Sequence, residues 1–211
     1  MIEVKAPCAT GDKLHSMATQ HIEFDAGLLS RYDRPGPRYT SYPTAPQFNA
    51  DFGEAALRDT IRASNEDPIP RRLSLYVHVP FCTSPCFYCG CNRIITRDKT
   101  RGEAYLTRLY REIALASSMF DRDREVEQVH FGGGTPNFLD PEQITEVVDV
   151  LRRHFSFARD GRMDCSIELD PRFITPAEVG RLAQAAVNRA SLGVQDFDPV
   201  LPEAAHRVQC G

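Results

Sequence analysis

The sequence predicts an α/β chain of parallel strands joined by crossover helices, forming a partial or full β/α barrel. Three observations predict it. Strand-like and helix-like runs alternate from residue 51 onward, and each strand-like run is apolar on one face only. Cysteine, glycine and acidic residues gather just past the ends of those runs. Strands of an ordinary doubly wound sheet are apolar on both faces, because helices cover both. A polar second face belongs in a barrel lumen that holds something polar, with the chemistry at the C-terminal strand ends.

Residues 1 to about 28 show no clear periodicity and read as a loosely ordered arm. The stretch from Arg31 to Pro46 follows, with Pro35, Pro37, Pro43 and Pro46 excluding helix and disfavouring a central strand. Its arginines (Arg31, Arg34, Arg38) and tyrosines (Tyr32, Tyr39, Tyr42) leave two readings open: a plain linker, or an extended segment packed over a site with acidic ligands. The expected organisation is an irregular N-terminal segment over residues 1–50 and a barrel over residues 51–211.

Four helices carry the same start signal, a capping residue followed three positions later by Glu or Gln: Asp51…Glu54, Thr100…Glu103, Asp140…Gln143 and Thr175…Glu178. Pro141 and Pro176 add proline at the first helical position, where its missing N–H costs nothing. Apolar stripes follow at helical spacing: Ile144, Val147, Val148 and Leu151 in one helix, Val179, Leu182, Ala183 and Ala186 in another. Strands are expected at residues 73–79, 128–131, 165–169 and 190–194. Their helix-facing residues are Leu75, Val77 and Val79; Val129 and Phe131; Cys165, Ile167 and Leu169; and Ala190, Leu192 and Val194. The opposite face reads Tyr76 and His78; Gln128 and His130; Ser166, Glu168 and Asp170; and Ser191 and Gln195.

Composition bounds the function. With 211 residues, 42% apolar and 26% charged, the chain has the make-up of a globular protein with one sizeable core or part of a larger one. A net charge of −4 gives no electrostatic reason to expect nucleic acid or an anionic membrane as partner. No apolar run approaches a membrane span, and no signal-peptide pattern opens the chain, so a cytoplasmic location is expected. Seven cysteines, an odd number with four clustered, argue against a disulfide framework and for a reducing compartment.

The four clustered thiols are Cys82, Cys86, Cys89 and Cys91, directly after the first strand. Three thiolates on one tight loop suit a cubane iron–sulfur cluster with its fourth iron open to a small ligand. A structural zinc knot usually needs paired Cys-x2-Cys halves far apart, and no second pair follows. Zinc and unmetallated thiols stay open as lesser alternatives. Past the second strand comes Gly132-Gly133-Gly134-Thr135-Pro136, where absent side chains let backbone groups approach a ligand closely. Glu168 and Asp170-Pro171 close the third strand, and Gln195 and Asp196 the fourth. Each feature alone is weak evidence; together at one barrel mouth they point to a site.

These residues resemble the N-terminal half of the oxygen-independent coproporphyrinogen III oxidases, radical S-adenosylmethionine (SAM) enzymes of haem biosynthesis. The resemblance runs from about Tyr32 to Gln209. It is carried by Gly36-Pro37-Arg38-Tyr39-Thr40-Ser41-Tyr42-Pro43, Tyr76 to Cys82, the cysteine loop with Gly90-Cys91-Asn92, the glycine loop, Ile167 to Pro171, and Asn188 to Phe197. The Cys-x3-Cys-x2-Cys spacing alone marks only the superfamily; Gly90-Cys91-Asn92 and the Gly36–Pro43 segment are what specify this member, and haem-chaperone relatives generally lack both. The resemblance implies a partial parallel radical-SAM barrel with four of six core strands, in a family whose chains are about twice as long. It implies a [4Fe–4S] cluster on Cys82, Cys86 and Cys89, with Cys91 beside it as a non-ligand. Tyr76 and Glu168 become the catalytic candidates and, with Gly133, Gly134 and Thr135, contact SAM. Tyr88, Gln195 and Arg207 match positions that bind a second SAM or orient the adenosyl groups, and Arg31, Arg34 and Arg38 lie near the substrate entrance.

The activity implied is oxidative decarboxylation of two propionates of coproporphyrinogen III to vinyls, giving protoporphyrinogen IX, by a SAM-derived radical. An electron donor of the flavodoxin or ferredoxin kind is the implied partner, with a complementing C-terminal half also open. Two other readings remain at this point: a cluster- or haem-binding module of the haem-chaperone type, and a non-catalytic truncated product.

Overall fold

The computed structural model describes residues 25–33, 45–159, 163–195 and 200–208. The described residues divide into two compact units, one ending at Leu57 and the other beginning at Arg58. In the first, helix α1 spans Ala26–Tyr32, capped by the Asp25 carboxylate, which accepts from the Leu28 N–H at 2.9 Å. The unstructured arm expected to reach residue 28 therefore gives way to helix by Ala26, because Asp25 supplies an N-cap the periodicity did not reveal. A short 3₁₀ turn follows at Ala45–Gln47. Most of the proline-rich segment, including Arg34 and Arg38, lies outside the described residues.

Helix α2 spans Glu54–Asn65, beginning two residues later than the Asp51 signal predicts. Asp51 is held in a turn, its carbonyl accepting from the Gly53 N–H at 3.1 Å, and the Gly53 carbonyl takes the first helical bond from Leu57. Strand β1 is Leu73–Val79. The chain then forms two short strands, β2 at Phe81–Cys82 and β3 at Ile94–Ile95, which pair in parallel and bracket the cysteine loop. Neither was expected, since two-residue strands have no periodicity to read.

Helix α3 spans Thr100–Ser117, but Thr100 is not its cap. Lys99 holds the cap position without a side-chain bond, and the Asp98 carboxylate accepts from both the Thr100 N–H at 3.0 Å and its hydroxyl at 2.7 Å, satisfying the first helical donor. Strand β4 (Glu125–Gly133), helix α4 (Pro141–His154), strand β5 (Ser156–Phe157) and strand β6 (Asp164–Leu169) follow. Then come helix α5 (Pro176–Gln184), strand β7 (Arg189–Leu192) and helix α6 (Val200–Ala204). The α4 and α5 capping boxes form as expected, Asp140 with Gln143 and Thr175 with Glu178.

The main sheet has the order β1-β4-β6-β7, all parallel, with β5 added beside the start of β4. This is a strand set of a parallel β/α barrel, as predicted. β4 runs further at both ends than residues 128–131, because β5 pairs its start and β1 its end. Opposite β1 the register slips by one residue, so that Val126 and Val129 are both buried despite their odd spacing. The core lies between this sheet and the helices: Val79, Val129, Phe131, Cys165 and Ile167 from the strands meet Ile144, Val147, Val148 and Leu151 of α4.

The α5 stripe is narrower than predicted. Leu182 is buried, but Ala183 faces solvent, and Ala186 has left the helix with φ 74°. Ala185 and Val187 take the inward positions instead. β7 stops at Leu192 rather than Val194. Gly193 still donates to the Leu169 carbonyl at 3.2 Å, but Val194 folds back on Leu192 and Gln195 sits at φ 72°.

Candidate functional site

At the C-terminal ends of the strands lies a cavity of about 260 Å³. Its wall contains Cys82, Cys86, Cys89 and Cys91, Tyr88, Gly133, Gly134, Thr135, Glu168, Gln195 and Arg207. The fold thus brings together, from five separate segments, every residue expected to hold the cluster or SAM except Tyr76. Tyr76 stands beside the cavity on the polar face, 58% exposed, its hydroxyl 3.3 Å from His78 Nδ1. Burial, then the neighbouring Glu168 and Cys91, push its phenol above the usual range. Asp196 and Gln209 lie outside the described residues.

The cysteine loop is held by backbone bonds on both sides. The Phe81 carbonyl accepts from Thr135 N–H, and the Cys82 carbonyl from Thr96 N–H, each at 2.8 Å. Gly134 N–H reaches the Val79 carbonyl at 2.8 Å. This close approach requires glycine: a Cβ at position 134 would fall 2.8 Å from the Phe81 carbonyl oxygen and 2.9 Å from the Pro80 carbonyl carbon. Gly133 is in the left-handed region, φ 111°, packed against the His78 ring. Gly134→Ala is therefore expected to destabilise the fold by about 1–3 kcal/mol, since backbone atoms must move. An unchanged melting temperature for that variant would show that the glycine loop has room to spare.

Each of the three sulfurs assigned to a cluster accepts at least one hydrogen bond. The Thr135 hydroxyl donates to Cys82 Sγ at 3.3 Å, Arg207 Nη1 to Cys86 Sγ at 3.3 Å, and the Cys91 backbone N–H to Cys89 Sγ at 3.4 Å. Burial pushes the Cys82 thiol up, partly offset by Thr135. Cys89 is also pushed up by burial, but the Cys91 hydrogen bonds, Arg93 and Arg207 outweigh it and hold that thiol below its ordinary value. Cys91 is raised, first by its side-chain hydrogen bond to Cys89, then by burial.

Sequence reasoning did not single out two arginines here. Arg93 Nη1 ties down the Cys89 and Cys91 carbonyls at 2.9 and 3.3 Å. Arg172 forms a bidentate pair with the buried Asp170, its Nη2 2.7 Å from Oδ2, and also donates to Ser84 at 3.3 Å. Arg207 approaches the same Asp170 carboxylate at 3.4 Å. Burial works to raise the Asp170 pKa, but the Arg172 hydrogen bonds and the Arg207 charge hold it below the usual carboxylate range. Asn137 brackets the backbone of Asp170, accepting from its N–H at 2.9 Å and donating to its carbonyl at 3.1 Å. The only local signal for Arg172 is its place two residues after an acid at a strand end.

The donor set fits a multi-iron cluster. Cys82, Cys86 and Cys89 line one cavity, and each sulfur already accepts a hydrogen bond. Hydrogen-bonded thiols around a cavity suit a larger body with several irons. Two buried atoms on residues of this wall, Thr83 Oγ1 and Arg93 Nε, have no hydrogen-bond partner and await one.

The family model described as Radical SAM superfamily matches residues 76–209. The chain belongs to the radical SAM superfamily. A [4Fe–4S] cluster and SAM are the cofactors that membership of this superfamily implies. Among its relatives is oxygen-independent coproporphyrinogen III oxidase of Pseudomonas aeruginosa, 48% identical over 192 residues, covering 89% of this chain and 40% of that protein. The enzyme of the same name from Escherichia coli K12 is 42% identical over 193 residues, covering 92% and 41%. A solved structure of Escherichia coli coproporphyrinogen III oxidase, a radical SAM enzyme, superposes with a TM-score of 0.75 at 40% identity, covering 90% of this chain and 41% of that one. This radical SAM chain thus spans about two fifths of the length of the curated relatives it matches. Among the described residues, no helix is long and apolar enough to cross a membrane.

Proposed function

We propose that this chain is the cofactor-binding part of an oxygen-independent coproporphyrinogen III oxidase, which converts two propionates of coproporphyrinogen III to vinyls. One observation carries the reading: three thiols in one cavity wall, each accepting a hydrogen bond, face a glycine loop and a half-exposed carboxylate, Glu168. Cys82, Cys86 and Cys89 would hold the cluster. When bound, cluster and SAM supply the hydrogen-abstracting chemistry of the superfamily. The chain's own residues bind, orient and shield.

Thr135, Arg207 and the Cys91 N–H lower the charge density on the three sulfurs, a recognised lever on cluster potential. Cys91 supports Cys89 rather than ligating. Backbone groups of Gly133 and Gly134, with Thr135, offer donors and acceptors for the methionine end of SAM, and Glu168 accepts from its ribose hydroxyls. Tyr76 lies against the same face, while Tyr88, Gln195 and Arg207 form the wall where a second SAM would lie. Coproporphyrinogen III as substrate, a flavodoxin- or ferredoxin-like electron donor, and a reducing cytoplasmic setting that keeps the loop cysteines free of disulfides complete the proposal.

The test is Glu168→Gln. It exchanges a charged acceptor for a neutral one, so SAM affinity of the anaerobically cluster-loaded chain should fall by about 1.5–3 kcal/mol, with cluster absorbance unchanged. Unchanged affinity accompanied by a large loss of thermal stability would instead make Glu168 a structural residue.

A further inference from the structure

The middle row of the polar face carries a histidine with no role in the site as described so far. His130 of β4 lies in register between Tyr76 of β1 and Ser166 of β6. Its ring stacks on Tyr76, with centroids 5.7 Å apart and planes inclined by 22°. Nδ1 is 2.8 Å from Ser166 Oγ, and Nε2 is 3.4 Å from Glu168 Oε1. Gly132 permits this arrangement: a Cβ there would fall 3.0 Å from Tyr76 Cε2 and 3.1 Å from His130 Nε2.

Electrostatics decides the tautomer. A bare Nε2 lone pair would face a carboxylate oxygen 3.4 Å away, which is repulsive. A proton on Nε2 presents positive charge to Glu168 and leaves Nδ1 free to accept from the Ser166 hydroxyl. That hydroxyl belongs to a side chain buried at 4% exposure, where an unmade hydrogen bond is costly. A doubly protonated ring keeps Nε2–H as well. Every favourable state therefore turns an N–H towards Glu168.

We propose that His130 is a positioning residue of the SAM site. Ser166 sets its tautomer, and its Nε2–H holds the Glu168 carboxylate, 49% exposed and otherwise free to rotate, in one orientation for the ribose hydroxyls. The proposal rests on the reading of Glu168 as ribose acceptor. Restricting a side chain before its ligand arrives removes an ordering cost from binding.

The experiment is SAM binding by equilibrium dialysis to the cluster-loaded 211-residue chain under anaerobic conditions, with cluster absorbance and melting temperature as controls. His130→Ala should weaken SAM about tenfold, the size of one lost orienting hydrogen bond. His130→Gln, which keeps an N–H donor, should recover part of that loss, and Ser166→Ala should show a smaller weakening. Combined with Glu168→Gln, His130→Ala should cost nothing further, because its effect passes through the carboxylate. Full additivity of the two, or normal affinity in His130→Ala while Glu168→Gln is impaired, overturns the proposal alone. Normal affinity in Glu168→Gln, or no SAM binding by the parent chain, overturns the underlying reading of the site. If His130→Ala fails to fold, imidazole nitrogen shifts of the parent chain decide: Nε2–H supports the proposal, and a single Nδ1–H tautomer rejects it.

Discussion

Reconstituted anaerobically with iron and sulfide, the chain is expected to take up a [4Fe–4S] cluster with its broad visible charge-transfer absorbance, and replacing Cys82, Cys86 or Cys89 with Ala should abolish it. The three sulfurs differ in their surroundings but share one property, a hydrogen-bond donor already aimed at each. Losing any one leaves the cluster two protein ligands on a loop that spans only a few residues. Cys91→Ala should keep most of the absorbance. What Cys91 gives Cys89 through the main chain is an N–H at 3.4 Å, and alanine retains that N–H. If Cys91→Ala loses the cluster as completely as Cys86→Ala, the division into ligands and support is wrong. One tightly held zinc and no visible band would revive the zinc-knot alternative.

The parts legible in the sequence were those written in local spacing. The capping boxes of α4 and α5, the alternation of β1 and the cysteine and glycine loops each occupy a few consecutive residues, so reading them needs no knowledge of the fold. The misreadings also have physical causes. Thr100 does not cap α3, because the Asp98 carboxylate two residues upstream takes both its N–H and its hydroxyl. β7 ends early because Val194 N–H folds back on the Leu192 carbonyl and Arg207 takes the Gly193 carbonyl at 3.1 Å. That last contact joins residues far apart in the chain, and no periodicity encodes it. The same holds for the sulfur environment. Thr135 is 53 positions from Cys82 and Arg207 is 121 from Cys86, so only the fold reveals that each thiol has its own donor. The polar strand face announced a cavity, but not that His130 and Glu168 on neighbouring strands would come within 3.4 Å.

A polypeptide of these 211 residues is expected not to carry out the full decarboxylation alone. It spans about two fifths of its curated relatives, and the described sheet ends at β7, a four-residue strand. The outer edge of β7 has no strand partner among the described residues, which leaves backbone donors and acceptors open to water or to another chain. Ala190 and Leu192 are only half-buried, so apolar surface is left for association. Glu168 and Tyr76 face solvent at 49% and 58% exposure, where water weakens every electrostatic contact to a bound cofactor. Radical chemistry needs substrate and cofactor in register with water kept out, and misplacement by about 1 Å can cost about a hundredfold in rate. Weak SAM cleavage, uncoupled from substrate, is therefore the most this polypeptide should show, together with a tendency to self-associate. The assay is anaerobic turnover of coproporphyrinogen III with dithionite and SAM, run beside a chain extended to the length of the relatives. Protoporphyrinogen formation should be at least about a hundredfold slower for the 211-residue chain. Comparable formation by both would mean that β1, β4, β6 and β7 hold cofactor and substrate well enough unaided, and that an open sheet edge does not limit the chemistry.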